Sequence, residues 1–205
     1  MDLTRSELAL LPFQSKRPQW HVHNFENEGQ ACDTYVISLI AKVTKMSKSI
    51  FFQDHMPENV CFGCGHNHEG LQIKSYWEGD VSVCKWQSEE KYHGWSNLMN
   101  GGIIATLIDC HCMGTAMAHA YRSEDRSMDT EPEYRYATGT LTVKYLKPTL
   151  NTSVELRAKV IEVKGRKTVM KCDFYGENGE QTAVADVVAI RVFDSSEDKE
   201  TVFKS

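Results

Sequence analysis

The chain has 205 residues, of which 41% are hydrophobic and 25% are charged, a composition typical of a soluble globular protein. This length is enough for one domain with a sizeable core, or for one domain plus an extension. The formal net charge of -5 argues against a nucleic-acid binder, because phosphate recognition favours a basic surface. A local cluster of Arg and Lys around a small anionic ligand remains compatible with this charge.

The start of the chain lacks the basic-then-apolar pattern of a secretory signal, and no stretch approaches the ~20 apolar residues of a membrane span. The chain has seven cysteines, an odd number scattered through apolar runs, which favours a reducing compartment over a disulfide framework. We therefore expect a cytoplasmic protein that does not enter a membrane.

Residues 1–58 differ in pattern from the rest of the chain. A polar start leads into residues 31–52, where apolar side chains recur at roughly helical spacing, and Pro57 closes the segment. We predict a partly helical N-terminal extension over residues 1–58, a main domain over residues 59–195 and a loose charged tail over residues 196–205.

The main domain begins with two strand-like runs, residues 71–77 and 81–86, separated by a hairpin turn. A loop over residues 87–100 leads to a long apolar helix from Gly101 to about His119, and residues 123–133 predict a surface loop. Alternation and turn residues then predict strands over residues 137–146, 153–163, 167–175 and 182–193. This order predicts an α+β fold in which an antiparallel sheet wraps around one long helix.

Asp109 is the one carboxylate in this apolar helix. Ile104, Leu107 and Met113 belong to a set of apolar residues spread around the helix, and a helix that is apolar on all sides is a buried helix. A carboxylate there must be paired, hydrogen-bonded or shifted in pKa, because burying an unpaired charge is unfavourable. Asp109 is therefore either a catalytic group or a buried carboxylate that satisfies backbone donors.

Two segments carry a resemblance to a known family: residues 92–95, YHGW, and residues 100–109, NGGIIATLID. In this order of elements they resemble the hotdog-fold acyl-CoA thioesterases of the phenylacetate (PaaI-like) type. The resemblance runs from about residue 61 to residue 193 and includes CFGCG at 61–65 and LTVKYLKP at 141–148. It implies a hotdog fold and hydrolysis of acyl-CoA, with coenzyme A as part of the substrate and no separate cofactor.

The resemblance implies roles for several residues near the thioester. Asp109 takes the place of the catalytic carboxylate, and the N–H of Gly101 at the helix N-terminus would polarise the thioester carbonyl. Asn100 stands where the family usually has His; it can donate a hydrogen bond but cannot titrate, and it is equally suited to an N-cap. His93 stands where Gln or Asn is common and is either a site residue or a structural loop histidine. Thr138 lies where some relatives hold the nucleophilic water, and is otherwise an ordinary strand residue.

The substrate-binding residues are also expected from the resemblance. Gly102, Met99 and Ile103 would line the acyl site. Lys147, Arg166 and Lys167 lie at strand ends and a turn, where relatives hold the nucleotide part of coenzyme A. The alternative for these three cations is that they are solvated charges on hairpin tips.

The spacing of Cys61, Cys64, His66 and His68 raises the possibility of a structural zinc site. All four lie within eight residues, without the separated second pair of ligands that zinc fingers and ribbons use. The resemblance implies that the cysteine pair shapes a glycine-rich turn. We therefore expect no metal.

The sequence predicts an acyl-CoA thioesterase in which Asp109 acts as general base or nucleophile. Unpaired sheet edges predict a homodimer, with a dimer of dimers as a further option, and the resemblance implies active sites between two subunits. Two alternatives remain open. One is a catalytically silent acyl-CoA-binding or sensing protein, which Asn100 favours; the other is a dehydratase or hydratase of acyl thioesters.

Overall fold

The structure is a computed structural model and describes residues 51–197. The predicted N-terminal extension, up to residue 50, and nearly all of the predicted tail lie outside these residues. The predicted domain boundaries therefore remain predictions. At the start of the described residues, a 3-10 turn at Phe52–His55 buries Phe52 and Gln53.

The described residues form one long helix and a six-stranded antiparallel sheet, with a second, two-stranded sheet beside them. The helix α1 spans Gly101–Ser123. The strands are β1 Ser75–Glu78, β2 Val81–Gln87, β3 His93–Trp95, β4 Leu98–Met99, β5 Tyr134–Tyr145, β6 Ser153–Lys164, β7 Lys167–Gly176 and β8 Gln181–Asp194. This confirms the predicted α+β architecture with one central helix.

The large sheet has the strand order β1-β2-β6-β7-β8-β5, and every neighbouring pair is antiparallel. Its two edges differ in length, since β1 has 4 residues and β5 has 12. The small sheet pairs β3 with β4 directly before α1 begins. The small sheet therefore leads directly into the N-terminus of α1, and β5 forms the long edge of the large sheet.

The first predicted strand begins four residues later than expected. Leu71 N donates to Phe62 O at 2.8 Å and Ile73 N donates to Gly63 O at 3.1 Å, so this backbone pairs with the preceding turn. Gln72 between them has φ 49, which interrupts an extended conformation. The apolar pattern of residues 71–74 reflects burial of Leu71 and Ile73 in the core, without strand geometry.

The core lies between α1 and the inner face of the sheet. In β6, Val154, Leu156 and Ala158 are buried, whereas Arg157 on the other face pairs with Glu78 and Glu155. This alternation is the period-2 pattern of a sheet with one apolar face. By length and composition α1 is the one described helix that could cross a membrane, and 56% of its apolar window is buried inside the domain. The core helix of a globular domain passes the same test, and α1 is such a helix.

The prediction that the helix is buried on all sides is wrong, because one side of it is partly exposed. A row of partly exposed side chains, which we call the open stripe, follows helical spacing along α1: Ile103, Thr106, Asp109, Met113 and Met117. The sheet of this chain covers the opposite face of α1, including Leu107 and Ile108, which are fully buried. Within residues 51–197, the apolar residues of the open stripe pack partly against the core and keep the rest of their surface exposed.

Candidate active site

Asp109 lies in the middle of the open stripe, half-buried, and accepts a hydrogen bond from Thr138. The Thr138 Oγ1 to Asp109 Oδ1 distance is 2.5 Å, and Thr138 itself is exposed. Burial raises the pKa of Asp109 above its ordinary value, the hydrogen bond from Thr138 opposes this rise, and the negative charge of a Cys61 thiolate adds to it. The structure therefore joins two of the predicted site residues in an accessible position on the surface of this chain.

A local irregularity in β5 accompanies the position of Thr138. The pairing of β5 with β8 shifts register between Thr138 and Thr140. Gly139 lies at the shift, where a Cβ would come within 2.9 Å of the Ile190 side chain and 3.2 Å of Val188 O. A β-bulge of this kind changes the direction of neighbouring side chains, and bulges are frequent next to active sites. Glycine at position 139 permits the close approach that places Thr138 over α1.

The N-terminus of α1 forms a second group of predicted residues. Asn100 is the N-cap, with extended backbone angles of φ -64 and ψ 131, and its Oδ1 accepts the N–H of Gly102 at 2.7 Å. The N–H of Gly101 points out of the first turn, where an α-helix provides no acceptor. Because the helix dipole is positive at this end, the Gly101 N–H is suited to hold a developing negative charge.

Tyr145 also contacts this helix start, although the sequence analysis did not single it out. Its Oη donates to Gly101 O at 2.7 Å, and the tyrosine is 52% exposed. The contact joins the end of β5 to the entrance of α1, 44 residues apart. The sequence shows only an aromatic residue in a predicted strand, and the fold is needed to show that this residue contacts Gly101.

His93 lies beside the helix start. It pairs with Met99 across the β3–β4 sheet, and Asn100 N donates to Tyr92 O at 2.9 Å. The His93 side chain is exposed, so it is accessible to a ligand. Met99 is buried in the core, whereas Ile103 is half-buried on the open stripe. Of the two apolar residues predicted to line the acyl site, Ile103 is therefore the more accessible.

The three predicted cations do not lie together in one chain. Lys147 follows β5 near the helix start and forms an ion pair with Glu180. Arg166 and Lys167 lie at the turn between β6 and β7. The neighbouring Thr168 pairs with Ala189 of β8, and Ala189 pairs on its other side with Thr138 of β5. Lys147 thus belongs to the Gly101 end of the domain, and the other two belong to the Asp109 end.

The two groups predicted to act on the thioester, the Gly101 N–H and the Asp109 carboxylate, are also apart within one chain. Gly101 and Asp109 are eight residues apart on the same helix, which corresponds to about 12 Å along its axis. Contact with a single thioester carbon requires both groups within about 3 Å of it. One chain alone cannot bring both groups to one thioester.

His111 lies on the opposite side of α1 from Asp109, since two positions on a helix are about 200° apart. Its Nδ1 is 2.9 Å from Ser75 Oγ, and its Nε2 is 3.3 Å from Ser82 Oγ. Burial lowers the pKa of His111 to about 4, so the ring is neutral in the folded core. His111 is therefore a buried, hydrogen-bonded residue of the core.

A groove of about 560 Å³ lies away from these groups, on β2, β6 and β7. It is lined by residues such as Trp86, Arg157 and Tyr175 and includes neither Asp109 nor Gly101. The candidate active site is therefore defined by the Asp109 carboxylate and the N-terminus of α1, and this groove is not part of it.

Comparison with known proteins gives similarities to thioesterases. The family model of the thioesterase superfamily matches residues 96–183, a range that includes α1, the strands β5, β6 and β7 and the first residues of β8. A search of curated proteins found no match. The matched range contains Asn100, Gly101, Asp109 and Thr138.

Several solved structures are similar in fold. A thioesterase superfamily protein from Shewanella loihica PV-4 is 28% identical, with a TM-score of 0.50, covering 66% of this chain and 96% of that one. A Haemophilus influenzae thioesterase is 15% identical, with a TM-score of 0.55, covering 74% and 100%. The E. coli PaaI protein of the phenylacetic acid degradation operon is 12% identical, with a TM-score of 0.50, covering 60% and 82%. Together with the sheet wrapped around α1, these similarities show that the chain has the hotdog fold of the thioesterase superfamily.

Proposed function

We propose that this protein hydrolyses acyl-CoA thioesters to the free acid and coenzyme A. The observation that carries the proposal is a half-buried carboxylate, Asp109, held by Thr138 on the open stripe of the central helix. The similarity to thioesterases supports hydrolysis as the reaction. The resemblance of residues 92–109 to PaaI-like enzymes supports acyl-CoA as the substrate.

Asp109 serves as general base in the simplest mechanism. Its carboxylate takes a proton from water, and the hydroxide attacks the thioester carbon. The carbonyl oxygen becomes an oxyanion, which the Gly101 N–H and the positive end of α1 stabilise. Collapse of the tetrahedral intermediate breaks the C–S bond, and the proton on Asp109 passes to the departing thiolate.

Asp109 as nucleophile is the second form of the same proposal. Attack of the carboxylate on the thioester carbon expels the thiolate and leaves an acyl–aspartyl anhydride, which water then hydrolyses. In either form Thr138 positions the carboxylate. Asn100 uses Oδ1 to cap the helix, so its amide N–H groups remain for the substrate, and His93 lies beside it.

Two chains are needed to complete a site. The separation of about 12 Å between Gly101 and Asp109 on one helix requires that the two groups meet one thioester from opposite subunits. Antiparallel pairing of two β5 edges about a two-fold axis near the middle of the strand achieves this. The Thr138 end of one strand then approaches the Tyr145 end of the other, and Tyr145 is bonded to Gly101.

The surface of the chain supports this dimer. The β5 edge has 12 residues and pairs with β8 on one side only, which leaves its other backbone groups for a partner strand. The apolar side chains of the open stripe lie beside this edge, and Leu146 is 51% exposed just beyond it. A second copy of the chain would cover both features. Association of such dimers into a tetramer remains a further prediction.

The same arrangement brings the predicted coenzyme A contacts together. Lys147 lies at the Gly101 end of one chain, and Arg166 and Lys167 lie at the Asp109 end. Antiparallel dimerisation places cations from opposite chains around one site, where they would bind the phosphates of the nucleotide. Ile103 on the open stripe, together with Gly102, would contact the acyl group.

The six cysteines among residues 51–197 are free thiols, which supports the expected cytoplasmic location.

The decisive experiment is turnover of a panel of acyl-CoAs, with release of coenzyme A measured by chromatography because the protein's own thiols react with colorimetric thiol reagents. We expect wild type to turn over at least one member of the panel and Asp109→Asn to lower kcat about 10²–10⁴-fold. Asp186→Asn, an exposed carboxylate on β8, is the matched control and should retain full activity. Acyl-CoA binding by wild type without release of coenzyme A would instead identify a silent binding protein, and an enoyl product would identify a dehydratase.

A further inference from the structure

Three thiols from two distant parts of the chain meet beside the open stripe. Cys61 and Cys64 lie in the glycine-rich turn, and Cys110 lies on α1, 49 residues after Cys61. All three sulfur atoms are within 4.8 Å of one another, and the Cys61 and Cys110 sulfur atoms are 3.7 Å apart. We call this group the thiol cluster.

Two glycines allow the turn to sit against α1. A Cβ on Gly63 would lie 2.3 Å from Cys110 Sγ, and a Cβ on Gly65 would lie 2.4 Å from Asn59 O and from Cys61 N. The turn is closed by Gly65 N, which donates to Cys61 O at 2.8 Å. Glycine at both positions therefore brings the backbone close enough for all three sulfur atoms to converge.

Hydrogen-bond donors surround the sulfur atoms. Gly63 N donates to Cys61 Sγ at 3.4 Å, and Asn59 Nδ2 donates to Cys64 Sγ at 3.3 Å. Donors aimed at sulfur stabilise the thiolate form, and similar outer contacts orient the ligands of metal sites.

The distance between the Cys61 and Cys110 sulfur atoms matches that of a metal–thiolate site. With zinc–sulfur bonds of about 2.3 Å, tetrahedral geometry separates two sulfur ligands by about 3.8 Å. The 3.7 Å between Cys61 and Cys110 is close to this value and far from the S–S bond of about 2.05 Å in a disulfide. Cys110 is buried and Cys61 is exposed, so the cluster has an apolar floor and an open side.

We propose that Cys61, Cys64 and Cys110 bind one thiophilic divalent cation, of which zinc is the chemically best matched, with a fourth coordination position open on the Cys61 side. Thiolate ligands select soft and borderline metals over Mg²⁺ and Ca²⁺, and binding releases the remaining thiol protons to solvent. His66 and His68 are both exposed, and within the described residues neither belongs to the cluster. The fold thus replaces the two histidines of the sequence pattern with one cysteine from α1, which the expectation of a metal-free turn did not include.

Cobalt provides a direct test, because its binding to thiolates gives a charge-transfer band and its tetrahedral complexes absorb strongly in the visible. The reduced, metal-free full-length protein is titrated with Co²⁺ alone, and the bound cobalt is then displaced with Zn²⁺. We expect one equivalent per chain, and at least about 100-fold weaker binding for Cys61→Ser and for Cys110→Ala. Cys61 is exposed, so its substitution should leave folding intact.

Cys84→Ala is the matched control, because Cys84 is a buried thiol of β2 outside the cluster. It should bind cobalt as wild type does. The proposal is overturned if wild type gives no thiolate band at one equivalent, or if the band persists in both cluster variants. The readout is spectroscopic and does not depend on thioester hydrolysis, so failure of one proposal leaves the other standing.

Discussion

Substituting Gly101 by proline removes the N–H from the proposed site and puts a ring carbon in its place. Proline has no N–H, and it is favoured at the first position of a helix, where the N–H has no intrahelical acceptor. The preceding residue must be extended, and Asn100 already has φ -64 and ψ 131. A Cβ at position 101 would meet the Tyr145 ring at 3.5 Å, which is ordinary contact. Gly101→Pro should therefore fold normally without the proposed oxyanion donor.

The expected magnitude follows from the role assigned to this N–H. Removing one preorganised donor from an oxyanion site typically lowers kcat by about 10²–10³-fold, or about 3–4 kcal/mol of transition-state stabilisation. The Michaelis constant should change little, because the donor matters most when the negative charge develops. Gly101→Ala is the matched control, since it adds the same Cβ and keeps the N–H.

The assay is steady-state hydrolysis of the best acyl-CoA substrate by wild type, Gly101→Pro and Gly101→Ala, with thermal unfolding measured in parallel. Equal kcat values for the proline and alanine variants, with both proteins folded, would refute the assignment of this N–H to the oxyanion. A proline variant that loses both its unfolding transition and its activity would show a structural role instead.

Three further predictions use the same site and the buried histidine. Mixing and reassembling equal amounts of Asp109→Asn and Gly101→Pro should restore about a quarter of wild-type activity, because half of the dimers are then hybrid and each hybrid has one intact site; no recovery despite confirmed hybrids would contradict a site shared between chains. Thr138→Val removes the hydrogen bond that lowers the pKa of Asp109, so the acidic limb of the pH–kcat profile should move to higher pH, whereas an unchanged limb would show that this carboxylate does not control the rate. Neutral His111 has a folded pKa of about 4 against an ordinary 6.5, so the free energy of unfolding should fall by about 3 kcal/mol as the pH drops from 6.5 to 4, and denaturant unfolding of His111→Gln should lack this component.

The sequence was sufficient for the helix and for most of the sheet because these depend on local pattern. The apolar run after Gly101 predicts a helix, and the alternation of apolar and polar residues in β6 predicts a strand with one buried face. The strand prediction is wrong for residues 71–74, because Leu71 and Ile73 are buried in an irregular segment whose backbone bonds to the preceding turn. A pattern of apolar residues cannot distinguish a strand from an irregular buried segment unless the hydrogen-bond partners of the backbone are known.

The candidate site was predictable where one helix carries it and unpredictable where distant segments meet. Asp109 and Gly101 lie on a single apolar helix, so their spacing along the axis follows from sequence. The contacts of Thr138 with Asp109 and Tyr145 with Gly101 span 29 and 44 residues and depend on how β5 packs on α1. Cys110 joins the cysteine turn for the same reason, across 49 residues.

The unequal edges of the large sheet have a consequence for biosynthesis. The four-residue edge β1 ends at Glu78, whose carboxylate is held by Arg157, and such a short, charged border resists the addition of foreign strands. The 12-residue border at β5 has no such protection within its own chain. A newly synthesised chain therefore exposes one unprotected strand edge until a second copy pairs with it. Aggregation during expression at low protein concentration or at high temperature should begin at this edge.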